Sequence, residues 1–424
     1  AEAEMAIEPS FHGENKHGEN QHGEKENLRL TSQFMITSLA VGHTVFHWII
    51  QSFVVLLPEI QSTFHLSGVG VGGIFTIREL VSGLVSLPGG VIVDGIRRHW
   101  GVLLALCLGA SSLGSLIMGV SPVYPLLLVG IAVVGMSHSI WHLPASASLV
   151  YHVPHRRGMA LAFHGVGGSI GDVVGPVATG GLLMVLGWRG ILSVYAVAPF
   201  FLAFLAAWSF QHIGRLKPDE EVSQVDMSTR VEISKRLLRN KLLWGIAFVR
   251  GLRAMSLVAL ITVLPLYLGN ELGLSPFSRG IHIGLLIAIG LVAKPFMGYL
   301  SDRWGRKQVL VPGLLWSTLF AILLVVFDHG PALTVTIALM GLFLYPDQPI
   351  LTAVSMEVVG REVATTGLGI VSFSSFLMAA ASSLIAGGLY EGAGVDVALY
   401  YVAGLFALAA VVFALLPLPG RSDE

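Results

Sequence analysis

"GVIVDGIRRHWG", Gly90 to Gly101, and "GYLSDRWGRKQV", Gly298 to Val309, are two versions of one short pattern. Setting Asp94 on Asp302 also sets Gly90 on Gly298 and Arg98 on Arg306, at an offset of 208 residues. Two other places repeat at nearly the same distance. Pro144, closing "WHLP", meets Pro349, closing "PDQP", at an offset of 205, and Pro58 meets Pro265 at 207. Three matches in the same direction at one spacing indicate a parallel internal duplication.

The unit being duplicated is apolar. Hydrophobic residues make up 54% of the 424, charged residues only 12%. A soluble chain of this length could not cover itself with so few charges. Stretches of about 20 apolar residues, enough to cross about 30 Å of hydrocarbon, recur along the chain. Twelve are expected, near 33–60, 69–95, 101–120, 123–150, 158–187, 190–211, 241–269, 276–301, 308–328, 331–358, 363–390 and 395–418. Pro58 and Pro265 are expected to close the first and seventh. The fold expected is an all-α membrane protein of twelve transmembrane helices in two pseudo-symmetric six-helix bundles. The single Cys107 leaves no internal disulfide to form.

The segments outside the spans give the organisation. Residues 1–29 read as a polar cytoplasmic tail, with "AEAE" before Met5 as an expression remnant. Within it "HGENKHGENQHGEKEN", His12 to Asn27, repeats a fivefold period that cannot bury a core. The first apolar run is too long for a signal peptide and should remain as a span. The six-helix halves are expected over 30–211 and 241–418, joined by a cytoplasmic linker at 212–240. Its Ser228 to Arg239 portion suits an interfacial helix. Residues 419–424 form a short tail. Of the 25 lysines and arginines, 19 fall in segments on the side of the termini, two (Arg189 and Arg279) on the other, and four in spans. That asymmetry places both termini in the cytoplasm of a plasma (inner) membrane protein.

The repeated pattern carries a resemblance. G-x-x-x-D-R-x-G-R-[RK] after the second span of a six-helix half is the signature of the major facilitator superfamily, and "GYLSDRWGRK" fits it throughout. The first copy departs from it, with Gly95 where arginine is usual and Arg97 where glycine is usual. The resemblance covers about residues 30–418. Within the superfamily, "WHLPASASLV" and "RRGMALAFHGVGGSIGDVVGP" resemble exporters of the fosmidomycin-resistance type. The resemblance implies alternating access between two bundles, with the first, fourth, seventh and tenth helices lining a central cavity. It also implies a cytoplasmic gate of Gly90, Asp94, Arg97, Arg98, Gly298, Asp302, Arg303, Gly305, Arg306 and Lys307. Physically, a carboxylate at a helix end can accept from the free N–H groups at a neighbouring helix start, and the basic residues beyond can pair with acids. Proton-coupled exporters of the superfamily carry G-x-x-x-G-P-x-x-G-G in the fifth span. This chain has Gly171, Gly175 and Pro176, with one extra residue before Gly180 and Gly181. Glycines 167, 171 and 175 form a stripe that lets another helix approach.

Charges inside spans are expensive in lipid and mark partners or a water-filled cavity. They are Arg78 and Glu79, Asp172, Arg250 and Arg253, Lys294, and Asp347. Arg78 and Glu79, about 100° apart on a helix, are expected to serve different partners. Lys294 is expected to snorkel to the cytoplasm. Two histidine pairs at i, i+4, His43 with His47 and His138 with His142, fall on cavity helices. His47 and Arg253 lie 11 and 12 residues before Pro58 and Pro265, and His142 and Asp347 each two before Pro144 and Pro349, and the four are expected to surround the central site. The expected substrate site is His43, His47, Gln51, Arg78, His138, His142, Arg250, Arg253, Asp347 and Gln348. The expected proton carriers are Glu79, His164, Asp172 and Asp347, since histidine titrates near physiological pH. No nucleotide-binding motif or soluble catalytic domain is present, so ATP-driven transport and enzyme activity are not expected, nor a cofactor or nucleic-acid partner. The reading is a monomeric secondary active transporter in the lipid bilayer, moving a small anionic organic solute, proton-coupled and leaning to export. Three alternatives stay open. One is a transition-metal carrier using His43, His47, His138, His142 and His164, whose neutral imidazoles suit such ions. The others are a non-transporting sensor with this fold and a channel.

Overall fold

The computed structural model describes residues 31–215, 238–359 and 364–418, together with Leu28 and Lys235. The His-rich tail repeat, most of the expected linker helix and the last six residues lie outside the described residues. The described chain is helical, with no strand among the described residues. In order the spans are α1 (Ser32–Val55), α2 (Gly68–Gly95), α3 (Trp100–Val120), α4 (Tyr124–His152), α5 (Arg157–Leu182) and α6 (Trp188–Ser209). The second half gives α7 (Lys241–Leu266), α8 (Pro276–Trp304), α9 (Arg306–Val326), α10 (Gly330–Leu344 and Asp347–Val359), α11 (Ala364–Ala393) and α12 (Val395–Leu415).

Local sequence sets where several of these begin. The Thr31 hydroxyl accepts from the Phe34 N–H, Ser67 from Gly70, and Ser275 from Ser278 ahead of Pro276. Asn240 accepts from Leu242 and Leu243. Each cap satisfies N–H groups that the helix itself leaves open. The expectation that Pro58 and Pro265 close their spans is not met. Pro58 starts a further helix, Leu57–Phe64, where a proline in the first turn removes no intrahelical bond. Pro265 lies inside α7, which runs on through a π-helical turn, Tyr267–Glu271.

Among the described residues, eleven helices are long and apolar enough to cross a membrane. The remaining member of the twelve is α5, 26 residues long and about 39 Å end to end. Its average hydropathy hides two faces. Phe163, Val166, Ile170 and Val174 are exposed on one side, as a lipid face would be. Glycines 167, 171 and 175 form the other and press on α1. A methyl on Gly167 would lie 2.3 Å from the Ala40 carbonyl oxygen, and one on Gly171 2.3 Å from that of Thr44.

The halves meet along two seams, α2 with α11 and α5 with α8. Both are tightest at the end remote from Asp302. A Cβ on Gly68 would stand 2.1 Å from the Gly387 oxygen, and one on Gly180 2.5 Å from the Pro276 oxygen. Polar bonds reinforce that end. Buried Arg279 of α8 pairs with Glu59, and Asn270 donates to Gln61 at 2.8 Å. The Gly68 N–H donates to Glu391 at 2.9 Å, and Thr76 of α2 donates to the Ala380 oxygen of α11 at 2.9 Å.

Candidate functional site

The first half gathers its titratable groups around four imidazoles. One helical turn separates His43 from His47 on α1, and another separates His138 from His142 on α4, so each pair shares a face. The His142 and His138 Nε2 atoms are 3.0 Å apart, and the His138 and His47 Nε2 atoms 3.3 Å apart. His43 packs edge-on against His47 and His142, with ring centroids 4.4 and 4.8 Å away. From α5, Asp172 accepts from His47 Nδ1 at 2.7 Å, and the His164 backbone oxygen accepts from His43 Nδ1 at 2.8 Å. The His164 ring stacks on His43 with centroids 4.2 Å apart. Gly168 makes room for this group, since a methyl there would lie 2.6 Å from His43 Cε1.

The second half carries a different chemistry. Arg253 Nε donates to both Asp347 oxygens, at 2.9 and 2.8 Å, and its Nη2 to the Leu344 carbonyl at 2.6 Å. Both partners are buried, 6% and 4% exposed. Breaking α10 between Leu344 and Asp347 releases the carbonyl and puts the carboxylate in the first turn of a new helix. Acids are favoured there by the helix dipole. One turn before Arg253, half-buried Arg250 donates from Nη1 to the Thr352 hydroxyl at 3.1 Å. Among the described residues no carboxylate lies within ion-pairing distance of Arg250. The Lys294 ammonium sits over the Tyr345 ring, 5.8 Å from its centroid.

Several expectations need correction. Arg78 and Glu79 do not serve different partners. The Arg78 side chain curls back so that Nε donates to Glu79 Oε1 at 2.9 Å, and the two charges neutralise each other on α2. Lys294 turns to an aromatic ring rather than to the cytoplasmic end. His47 and His142 belong to one cluster in the first half and Arg253 with Asp347 to a pair in the second, and Lys294 lies within electrostatic reach of Asp172 from the first group and of Arg253 and Asp347 from the second. Gln51 is half-buried on α1, whereas Gln348 is exposed on α10.

The motif residues of the second half form a network within that half. Arg306 pairs with Asp302, donates to Glu357 from Nε and Nη2 at 3.0 and 2.7 Å, and reaches Ser301 at 3.1 Å. Lys307 donates to the Ala414 carbonyl at the end of α12, at 2.8 Å, and Arg303 donates to Tyr299. Gly305 joins α8 to α9 at φ +107°, a left-handed conformation that favours glycine. No side-chain contact is available to Gly298, and a methyl there would meet open space. In the first half, Arg97 lies over Tyr151, 3.8 Å from its ring centre, and Arg98 Nε donates to His99 at 3.3 Å. The side-chain environments of Gly90 and Asp94 lie outside the described residues. Sequence reasoning missed the polar lock of Glu59, Gln61, Arg279 and Asn270. The available signal was Arg279 itself, one of two basic residues on the basic-poor side.

The chain is similar to known transporters. It is 23% identical over 308 residues to the nitrite extrusion protein of Bacillus subtilis, covering 71% of each chain. It is 22% identical over 303 residues to the fosmidomycin resistance protein of Escherichia coli, covering 69% of this chain and 71% of that one. Its fold matches the structure of a bacterial homologue of the human lysosomal transporter Spinster in an inward-facing, unoccupied conformation. The TM-score is 0.72 at 14% identity, over 92% of this chain and 96% of that one. The family model of the Major Facilitator Superfamily matches residues 39–293 and again 246–424, so this multi-pass membrane protein belongs to that superfamily of secondary transporters.

Proposed function

We propose that the protein carries a small anionic organic solute across the plasma membrane by alternating access, coupled to protons and in the direction of export. One observation carries the anion reading. Within its span Arg250 has a hydroxyl partner, whereas Arg78 and Arg253 are each neutralised by a carboxylate. An uncompensated guanidinium at membrane depth is expensive, and a solute carboxylate or other oxyanion would compensate it through a forked, charge-assisted contact. Lys294, within electrostatic reach of Asp172 and Asp347, adds a further cation beside Arg250 and Arg253. The nitrite and fosmidomycin relatives support the choice of small solutes and the lean towards export.

Proton coupling rests on the His47–Asp172 hydrogen bond, where a carboxylate and an imidazole can exchange a proton as the halves move. Lysine and arginine placement puts both termini and the Asp302 network in the cytoplasm, and the Glu59–Arg279 end outside. In this orientation the tight glycine seams close the external side, and the Asp302–Arg306–Glu357 network braces the cytoplasmic rim of the second half. The protein is proposed to work as a monomer, because both six-helix halves that alternating access needs lie in one chain.

The test is ligand-dependent thermal stabilisation in detergent with nitrite, fosmidomycin and a panel of small carboxylates. A stabilising anion should lose at least tenfold in affinity in Arg250→Gln. Arg250→Lys should lose part of it, since lysine keeps the charge but not the fork. Equal stabilisation of the unmodified protein and Arg250→Gln would remove the anion reading.

A further inference from the structure

The four imidazoles of α1 and α4 are arranged as metal ligands, and we propose that they bind one divalent first-row transition-metal ion of the zinc type. His43, His47, His138 and His142 each offer a ring nitrogen, and these four atoms lie within 4.8 Å of one another. A tetrahedral ion with metal–nitrogen bonds of about 2.0–2.1 Å places its ligand atoms about 3.3 Å apart along each edge. Of the observed separations, 3.3 Å already has that value and 3.0 Å lies close to it. The widest must shrink by about 1.5 Å, within the reach of a χ2 adjustment.

The surroundings fix which nitrogen each α1 ring presents. A backbone oxygen can only accept, so His43 must carry its proton on Nδ1 towards the His164 oxygen, leaving a lone pair on Nε2. That Nε2 is buried and makes no hydrogen bond. Asp172 likewise draws the His47 proton to Nδ1, leaving the lone pair of Nε2 facing His138. Carboxylate or carbonyl acceptors behind the ligating imidazole are the usual outer shell of a bound metal, and they fix tautomer and ring orientation. With neutral rings, His138 Nε2 can either donate or accept, so its contacts to His47 and His142 cannot both be satisfied unless one donated proton is shared. The buried His43 nitrogen gains nothing in either case. A cation at the centre accepts all four lone pairs at once. Arg78, on the adjoining face of α4's neighbour α2, is neutralised by Glu79, so no unpaired arginine opposes the ion.

Imidazole nitrogen suits zinc, cobalt, nickel and copper, and an all-nitrogen tetrahedral set without thiolate favours zinc and cobalt. Four protein ligands also fill the shell of a tetrahedral ion, as in closed sites. The proposal is independent of the anion reading, because equilibrium metal binding is measured without any solute.

The experiment uses the full chain carrying His12→Asn, His17→Asn and His22→Asn, so that the tail histidines contribute nothing. Titration with Co2+ in detergent should give one tightly bound equivalent with the intense visible bands of tetrahedral cobalt, discharged by one equivalent of Zn2+. Zn2+ should also raise the thermal midpoint. His138→Gln should abolish the bands. Asp172→Asn, which leaves the four ligands in place, should weaken affinity about 10–100-fold. Weak octahedral spectra, no saturable equivalent in the unmodified cluster, or bands that persist in His138→Gln would each overturn the proposal. The first two outcomes are read without any change to the cluster, so a misfolded variant cannot mask them.

Discussion

Replacing Asp347 by asparagine keeps the volume of the side chain but strands the Arg253 charge. Both groups are almost wholly enclosed, and the carboxylate accepts two bonds from Arg253 Nε. The remaining acceptor, the Leu344 oxygen, engages Nη2 but supplies no charge. Breaking a buried pair by removing one partner typically costs about 3–5 kcal/mol, because the other charge is left uncompensated. For a folding unit of the size of one half, that corresponds to a fall in thermal midpoint on the order of 10 °C. Arg253→Met should cost a similar amount, leaving the carboxylate unpaired. The double variant Arg253→Met with Asp347→Leu should recover most of the loss, because it removes both desolvated charges. The assay is thermal unfolding of the purified protein in one detergent at fixed pH, completed as a double-mutant cycle. Single variants within about 2 °C of the parent, or a double variant whose loss equals the sum of the singles, would mean that the two charges are not coupled as a buried pair.

Other perturbations test other parts of the structure. Gly68→Val should drive α2 from α11, because even a methyl would stand 2.1 Å from the Gly387 oxygen; transport should fall below a tenth of the parent rate while each half stays helical by circular dichroism. Arg279→Gln should loosen the end held by Glu59, which cysteine labelling at Ser62 would report as faster modification. Asp302→Asn should change stability by less than about 1 kcal/mol, since the carboxylate is largely exposed, yet impair transport measurably. Asp172→Asn should weaken the response of solute flux to an imposed pH difference, and normal coupling in that variant would remove Asp172 from the proton path.

The fold was legible in the sequence because membrane spans announce themselves. Long apolar runs have few readings, and the repeated Asp94 and Asp302 motifs tied the two sets of six together. α5 was the instructive case. Its glycines and its Asp172 lower its average hydropathy, but its length and scarcity of charge kept it recognisable as a span. The pairing of charges was less legible. Helical geometry separates Arg78 from Glu79 by about 100°, but that argument concerns Cβ directions, and a long arginine side chain can fold back on its neighbour. The anchoring prolines matched Arg253 with His47 and Asp347 with His142, but the break in α10 that brings Leu344 and Asp347 to the guanidinium has no simple periodic signal. The i, i+4 spacing exposed each histidine pair. That the pairs face one another depends on how α1 and α4 cross, which one sequence does not encode in any local pattern. The Glu59–Arg279 pair joins residues 220 apart, one on the short helix Leu57–Phe64 and one in the first turn of α8, and no local pattern links them.

Solute counterflow distinguishes the proposed alternating-access carriage of an anion from passive leakage. Proteoliposomes preloaded with the anion that stabilises the protein best would be diluted into a trace of the same anion, labelled. An anion carrier should give a saturable, transient overshoot of internal label that Arg250→Gln abolishes. Label that merely equilibrates, at a rate linear in concentration and equal in Arg250→Gln, would contradict it.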